Sequence, residues 1–314
     1  MPLGTPYITP QMLLNAPTGV SWSIIPKPNA TTEEQLAEAT NICWRATSKV
    51  DTFCNQVLRA TADTEYLNGP GEARCNVDPD TGNGVLIMRR WPVTEVLAIQ
   101  ISQARSFPRV WTPVPAGQWD IRHPLIYSGD SASATAPDGG WTIDLAPGYL
   151  TWRPYGRGGQ RVQVCYENGW PHTSLTAAAT AGSSEIEVDD VTGWAGASGF
   201  CYDGASTEPL AAESASATAP LTLPDGAGTA QAGPGTITLT SPLAYAHAEG
   251  AVFSALPAVA IEAAVYAAAV QALESGIDAI TVQSIPGEHT STGDPTDQIM
   301  KMYQGLLEPF RRVA

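Results

Sequence analysis

One segment of the chain repeats apolar residues at helical spacing over a long distance. The stripe after Thr32 consists of Leu36, Ala39, Cys43, Ala46, Val50, Phe53 and Val57. Steps of three and four place these residues on one helix face, and Thr32 with Gln35 has the spacing of an N-terminal capping box. The pattern predicts a helix of about six turns. Other helices must cover the stripe, because an amphipathic helix is not stable alone.

Two further helices are predicted after residue 256. Residues 257–275 begin with proline and are rich in alanine, with 8 Ala in 19 residues, so this helix can pack closely on several sides. Its most apolar face contains Ile261, Val265, Ala268 and Ala272. The last helix is expected to begin at Asp294-Pro295. It should end or kink at Pro309, which lacks a backbone donor, leaving a short, free basic tail that contains Phe310, Arg311 and Arg312.

Alternating apolar and polar residues predict β-strands between the first two helices. Residues 85–102 are predicted to form two strands broken at Trp91-Pro92, and residues 93–101 alternate in this way, which is typical of a half-buried strand. Further strands are predicted at 118–121, 141–145, 149–153 and 161–166. Together they indicate a small, mostly antiparallel sheet.

The segment 174–256 differs from the rest of the chain in charge. It contains nine acidic residues and no Lys or Arg, so it accounts for −9 of the net charge of −15. Such a local shift marks a separate module. Short strands bounded by Gly and Pro are predicted at 185–188, 199–202, 236–240 and 251–253. Residues 213–235 are of low complexity and are predicted to form a mobile hairpin or loop.

These elements predict an α+β protein with a helical-bundle core, a small antiparallel sheet and an inserted small all-β domain. The inserted domain is either a sandwich or a barrel. We expect an extended N-terminal arm over residues 1–30, which is rich in proline. The core combines residues 31–173 and 257–314, and residues 174–256 form the insertion, because domains with close termini are readily inserted into loops.

Composition excludes several classes of protein. The chain has 16 basic and 31 acidic residues, which argues against tight DNA or RNA binding, because phosphate neutralisation needs clustered Lys and Arg. The five cysteines contain no CxxC spacing and are predicted to be buried free thiols in a reducing compartment. No signal peptide or lipid-spanning stretch is recognisable. We therefore expect a soluble protein made in a cytoplasm, with no membrane partner.

No arrangement of residues suggests catalysis, a metal site or a cofactor. The four histidines, His123, His172, His247 and His289, have no ligand spacing and are predicted to be surface or turn residues. Asp189 and Asp190 point to opposite faces of a strand. The nine tryptophans suit either a sugar-binding surface or the packing of a small sheet or subunit interface, and we favour packing.

Three short motifs carry a resemblance to a known family. They are "RRWPVTEVLAIQIS" with Pro92-Val93, "VQVCYENGWP" with Val162, Val164, Tyr166 and Gly169, and "LLEPFRR" at the end of the last helix. In this order, between helices, they resemble the head–tail adaptor (connector) proteins of long-tailed bacteriophages. The phrases "VDDVTGW", "YDGASTE" and "LTSPLAYAHAEGA" are similar to an inserted module of actinobacterial phage proteins.

The resemblance implies a structural virion protein without enzymatic activity. Such proteins form a ring, commonly of twelve copies, beneath the portal at the neck, the interface between head and tail. The ring extends the DNA channel and receives the next tail-side connector, a stopper or tail terminator. The expected partners are therefore the portal, the tail-side connector, further copies of the chain and genomic DNA that passes without tight binding. Assembly would take place in the host cytoplasm.

Residue roles follow from this implied assembly. We expect Phe310, Arg311 and Arg312 to bind the portal, with the arginines pairing with carboxylates. We expect Ile261, Val265, Ala268 and Ala272 to lie at the interface between subunits, because the alanine-rich helix needs more cover than one stripe supplies. The role of the insertion stays open, and one hypothesis for it is a decoration domain on the outer rim of the ring.

One alternative comes from a different class. The tryptophans and the Gly/Ser/Thr-rich segment also suit a secreted carbohydrate-binding or carbohydrate-active β-protein. The cysteines and the lack of a signal peptide argue against it.

Overall fold

The chain is predominantly β. The computed structural model describes residues 4–18, 20, 22, 25–27, 29–68, 74–78, 80–103, 109–122, 142–147, 149–150, 160–274 and 295–311. Over these residues it contains sixteen strands in four sheets and four α-helices. The predicted helical-bundle core is therefore wrong. The helices form one layer of the protein, while several segments that lack a clear apolar alternation are strands.

The bounds of the long helices agree with those predicted from their apolar stripes to within a few residues. They are α1 (Pro10–Asn15), α2 (Thr32–Cys54), α3 (Ala258–Glu274) and α4 (Pro295–Leu307). The capping box of α2 lies one residue earlier than predicted, at Thr31 and Glu34, whose side chains each bond the other's backbone N–H. Helix α2 ends where Asn55 adopts a left-handed conformation with φ of 53°, so Val57 lies outside it.

Small side chains bring the helices of this layer close together. In α3, Ala260, Ala263, Ala264 and Ala267 are fully buried against the apolar side chains of α2 and α4. The apolar faces of helix α3 are therefore covered by other helices of the same chain. None of the described helices is both long and apolar enough to cross a lipid bilayer.

Residues 4–18, where an extended arm is predicted, pack against the helical layer. Tyr7, Ile8 and Leu13 are buried in the same core as α2 and α3. The hydroxyl of Tyr7 donates to Asp51 Oδ1 at 2.5 Å and accepts the backbone N–H of Leu58 at 2.8 Å. These contacts tie the N-terminal segment to the end of α2.

Two antiparallel sheets form a sandwich in the first half of the chain. Their strands are β1 (Thr61–Asn68), β2 (Cys75–Val77), β3 (Gly84–Ile87), β4 (Val93–Gln103), β5 (Thr112–Pro113), β6 (Trp119–Arg122), β7 (Thr142–Leu145) and β8 (Gln160–Asn168). The central sheet has the order β1-β8-β4-β5 and the facing sheet the order β2-β3-β7-β6. One core lies between them, with Val162 and Val164 on one side and Leu86 and Ile143 on the other.

The predictions for this region were partly wrong. Strands β1, β2 and β5 were not predicted. Residues 149–150 are not in a strand, and the rest of the strand predicted at 149–153 lies outside the described residues.

The acidic segment folds into a six-stranded antiparallel barrel. Its strands and those of an attached hairpin are β9 (His172–Ser174), β10 (Glu185–Val188), β11 (Ser198–Tyr202), β12 (Glu208–Ala217), β13 (Leu221–Thr222), β14 (Thr229–Ala230), β15 (Gly235–Leu239) and β16 (Val252–Ser254). The barrel order is β10-β15-β12-β11-β16-β9. A bridge between Leu175 and Val188 joins its two end strands. Trp194, Cys201 and Phe253 fill the interior without exposure to solvent.

The low-complexity segment 213–235 forms the end of β12 and the β13–β14 hairpin, so a hairpin is found, but it is docked rather than mobile. The hairpin lies on the outer face of the central sheet, where Leu223 and Ala230 are buried with Cys165. The Gln163 amide donates to the Pro224 carbonyl at 3.3 Å, and the Tyr66 hydroxyl donates to Asp225 at 3.1 Å. The barrel and the sandwich are therefore joined by a second, buried contact.

Two leucines of the hairpin give a matched test of this contact. Leu223 is 4% exposed and Leu221 is 45% exposed. We expect Leu223→Ser to lower the free energy of unfolding by about 2–4 kcal/mol, because it removes buried apolar surface and adds an unpaired hydroxyl. Leu221→Ser should change it by less than about 0.5 kcal/mol. Urea unfolding of both variants measures the difference, and equal effects would contradict the docking of the hairpin.

Candidate interaction surfaces

The last described turn is anchored to the rest of the chain. Helix α4 ends at Leu307, as Pro309 predicts, and residues Glu308–Phe310 form a 3-10 turn. The ring of Phe310 packs edge-on against Trp170 with 5.6 Å between centroids. Its carbonyl accepts a hydrogen bond of 3.2 Å from the amide of Gln56. The tail that was expected to be free is therefore fixed at Phe310.

Trp91, Trp170 and Phe310 form what we call the tryptophan junction. Trp91 packs edge-on against Trp170 with 6.3 Å between centroids. Beside it, the backbone N–H of Gly169 donates to the carbonyl of Pro92 at 2.9 Å. All three segments that carry the family resemblance meet here. The sequence shows each motif separately, and only the fold brings them together.

Arg311 is the first charged residue beyond the junction. It is exposed, with its guanidinium 5.4 Å from the ring centroid of Phe53 and 3.6 Å from the Glu308 carboxylate. An exposed ion pair of this length contributes little stability, so the guanidinium is free to exchange it for another carboxylate. Arg312 lies outside the described residues.

The four residues expected at a subunit interface face inward. Ile261, Ala268 and Ala272 are buried within the chain's own helical core, and Val265 is half-buried against it. The physical reason is that α2 and α4 already cover this face of α3. Each α-helix instead exposes one large apolar side chain: Leu14 on α1, Leu36 on α2, Val259 on α3 and Met302 on α4.

The barrel contains a buried cluster of polar side chains around His247. Its Nε2 lies 2.8 Å from Glu208 Oε1 and its Nδ1 lies 3.1 Å from Asp203 Oδ2, with the Cys201 sulfur 3.4 Å from Nδ1. Burial alone would raise the pKa of Glu208. The backbone N–H groups of Ala244 and Tyr245 and the His247 ring together hold that pKa below its usual value.

This cluster is arranged for support rather than reaction. Glu208 fixes the backbone of residues 244 and 245, and His247 is only 2% exposed. Within the described ranges, no group of three or more His, Cys, Asp or Glu side chains is placed to hold a metal ion.

Both described histidines are buried, so the prediction of surface or turn positions is wrong for them. His172 is 3% exposed and bonds the Pro6 carbonyl and the Ser254 hydroxyl, each at 2.9 Å. Its burial lowers its pKa to about 4. His123 and His289 lie outside the described residues.

All five cysteines are buried free thiols, as predicted, while the reducing compartment stays a prediction. The seven tryptophans within the described ranges are all buried or half-buried. Their positions favour packing over an open sugar-binding surface.

Three carboxylates lie where β8 meets the barrel. Glu167 is 6% exposed and pairs across the sheet with Glu95. Burial, together with the charges of Glu95 and Asp190, raises the pKa of Glu167 to about 7. Asp190 itself accepts bonds from the backbone of Thr192 and Gly233 at 2.9 and 3.0 Å. Asp190 therefore has a structural role, and Glu167 makes stability sensitive to pH.

No protein family, curated protein or solved structure matches this chain.

The anchoring of Phe310 can be measured directly. We expect Phe310→Ala to lower the free energy of unfolding by about 1–3 kcal/mol, because a half-buried ring loses its contact with Trp170. Met302→Ala removes an exposed side chain from the preceding helix α4 and should cost less than about 0.5 kcal/mol. Chemical denaturation compares the two. Equal stability of Phe310→Ala and the unsubstituted protein would show that the last turn is not held at the junction.

Glu167→Gln tests the buried carboxylate. The folded pKa of about 7 lies above the unfolded value, so Glu167 favours folding below about pH 4.3 and loses that contribution as pH rises through 7. Glutamine carries no charge at any pH. We therefore expect the variant to be more stable than the unsubstituted protein by about 1–3 kcal/mol at pH 8, with the gap closing towards pH 4.

Thermal unfolding from pH 4 to pH 8 measures this gap. Glu187→Gln, at an exposed position on β10, is the control and should show no such trend. A gap that is independent of pH would contradict the assignment.

Proposed function

We propose that the protein is a structural virion subunit, a head–tail adaptor that forms a ring between the portal and the tail-side connector. The observation that carries the proposal is the meeting of the three resemblance segments at the tryptophan junction. Motifs that match by chance would have no reason to pack on one another. Here they build one structural unit, which supports treating them as the signature of a family.

The C-terminal segment supports a role in portal binding. Phe310 is anchored, so it sets the position from which the chain continues. Arg311 is exposed immediately beyond it. In this proposal Phe310 anchors the segment. Arg311 and Arg312 pair with carboxylates of the portal, since guanidinium–carboxylate bonds are strong and directional.

The helical layer and the charge of the chain support a ring around DNA. Exposed apolar side chains on all four described α-helices offer contacts between copies that do not depend on the buried face of α3. The balance of 16 basic and 31 acidic residues offers few partners for phosphate, so DNA would pass without being held. Twelve copies is the number that the resemblance implies, and the proposal assigns no catalytic activity.

One experiment separates ring formation from portal binding. We expect negative-stain images and mass photometry of the purified protein to show closed rings, alone or on a portal particle. Arg311→Glu should leave ring formation intact and reduce portal binding by about tenfold or more, because it places like charges together. Arg89→Glu, at another exposed arginine, is the matched control and should bind as the unsubstituted protein does.

The outcomes distinguish the two parts of the proposal. Monomers in every condition, including with portal, would overturn the adaptor assignment. Rings that bind portal equally well with Glu at position 311 would remove only the role of the C-terminal arginines.

A further inference from the structure

The barrel has a groove where strand β12 changes partners. Residues 208–211 of β12 pair with β11, and from Ala212 onward the strand pairs with β15, with a register shift between Ala212 and Ser214. The loop after β15 folds over this point, where Thr240 donates its backbone N–H to the Ala211 carbonyl at 2.9 Å. Between these elements lies a concavity of about 480 Å³ that opens to solvent.

The lining of the groove is mainly apolar and exposes an aromatic ring. Its apolar residues are Phe200, Pro209, Leu210, Pro242 and Leu243. Phe200 is 48% exposed and stacks at a tilt on Tyr202 with 6.1 Å between centroids. Aromatic and proline side chains in an open groove suit an extended peptide, which such surfaces recognise through alternate side chains.

The buried cluster around His247 holds one wall of this groove. Glu208 forms part of the lining, and its oxygens accept the backbone N–H groups of Ala244 at 2.8 Å and Tyr245 at 3.1 Å. His247 bonds the same carboxylate. The loop is therefore fixed before any ligand arrives, which lowers the entropic cost of binding. Glu208 is a positioning residue here, because its oxygens are already engaged.

Charge selects among possible occupants. Segment 174–256 carries nine acidic residues and no Lys or Arg, so its field repels anionic ligands such as nucleic acid and attracts cations. Glu213 is exposed on β12 just beyond the groove. An apolar groove within an acidic module matches a segment that alternates basic and apolar side chains.

We propose that this groove binds an extended basic peptide segment of a partner protein. Apolar side chains of the segment lie on Phe200 and the two prolines, and its Lys or Arg side chains lie towards the acidic residues of the barrel. None of the residues that line the groove belongs to the tryptophan junction.

The test begins with an array of short lysine- and arginine-rich peptides that differ in their proline, leucine and aromatic content. The strongest peptide is then labelled with fluorescein, and its binding to the full chain is measured by fluorescence anisotropy. We expect saturable binding that weakens as salt increases, because part of the attraction is screened. The same peptide with glutamate in place of each basic residue should not bind.

Two variants locate the site. Phe200→Ser should weaken binding by about tenfold or more, since exposed aromatic anchors dominate such contacts. Leu221→Ser removes a similarly exposed apolar side chain from the hairpin and should change binding by less than about twofold. Thermal unfolding of both proteins verifies that they fold.

Three results would overturn the proposal. The first is that no peptide on the array shows saturable binding to the protein. The second is binding that Phe200→Ser leaves unchanged, which indicates diffuse attraction to the acidic surface. The third is saturable binding of a soluble oligosaccharide that competes with the peptide, which indicates a sugar site. Ring formation by Phe200→Ser is a separate readout that bears on the adaptor assignment alone.

Discussion

The close approach of the backbone at Gly169 to the backbone of Arg59 joins the helical layer, the sandwich and the barrel. A Cβ at this position would lie 2.5 Å from the Arg59 carbonyl oxygen, and the residue has a φ of 88°, so only glycine fits. On either side, Gly169 bonds Pro92, and Trp170 exchanges backbone hydrogen bonds with Leu58 and Ala60. The chain after β8 thereby passes from the sandwich to β9 of the barrel while it contacts the segment that follows α2. The tryptophan junction is built directly on this crossing.

The sequence predicted the helices well because their apolar stripes contrast strongly with their surroundings. It failed for β12, whose "EPLAAESASA" alternates alanine with serine and so gives little contrast between faces. It also failed for β1, "TADTEYLN", because a half-buried strand of this kind gains most of its cover from distant residues. Local periodicity reports burial only when the buried residues are large and apolar.

The candidate surfaces show the same limit at the level of single residues. Pro309 correctly predicted the end of α4, but the inference that the tail is free did not follow. Phe310 is held by Gln56 and Trp170, which lie far away in the chain. No local sequence pattern predicts such a contact. Likewise, the alanine-rich α3 suggested an unfinished surface, whereas α2 and α4 complete it within the same chain. Apolar composition shows that a face must be covered without showing what covers it.

The position of the barrel changes how its role must be tested. If it were a decoration attached by two linkers, deleting residues 174–256 would leave the rest of the protomer intact. The β13–β14 hairpin, however, covers the outer face of the central sheet, and Thr5 bonds Ser174 at 3.0 Å. The deletion would expose Cys165 and loosen the N-terminal segment, so a failure to assemble could reflect lost stability alone. Substitutions on the barrel surface away from the hairpin separate the two explanations, because they leave both contacts in place.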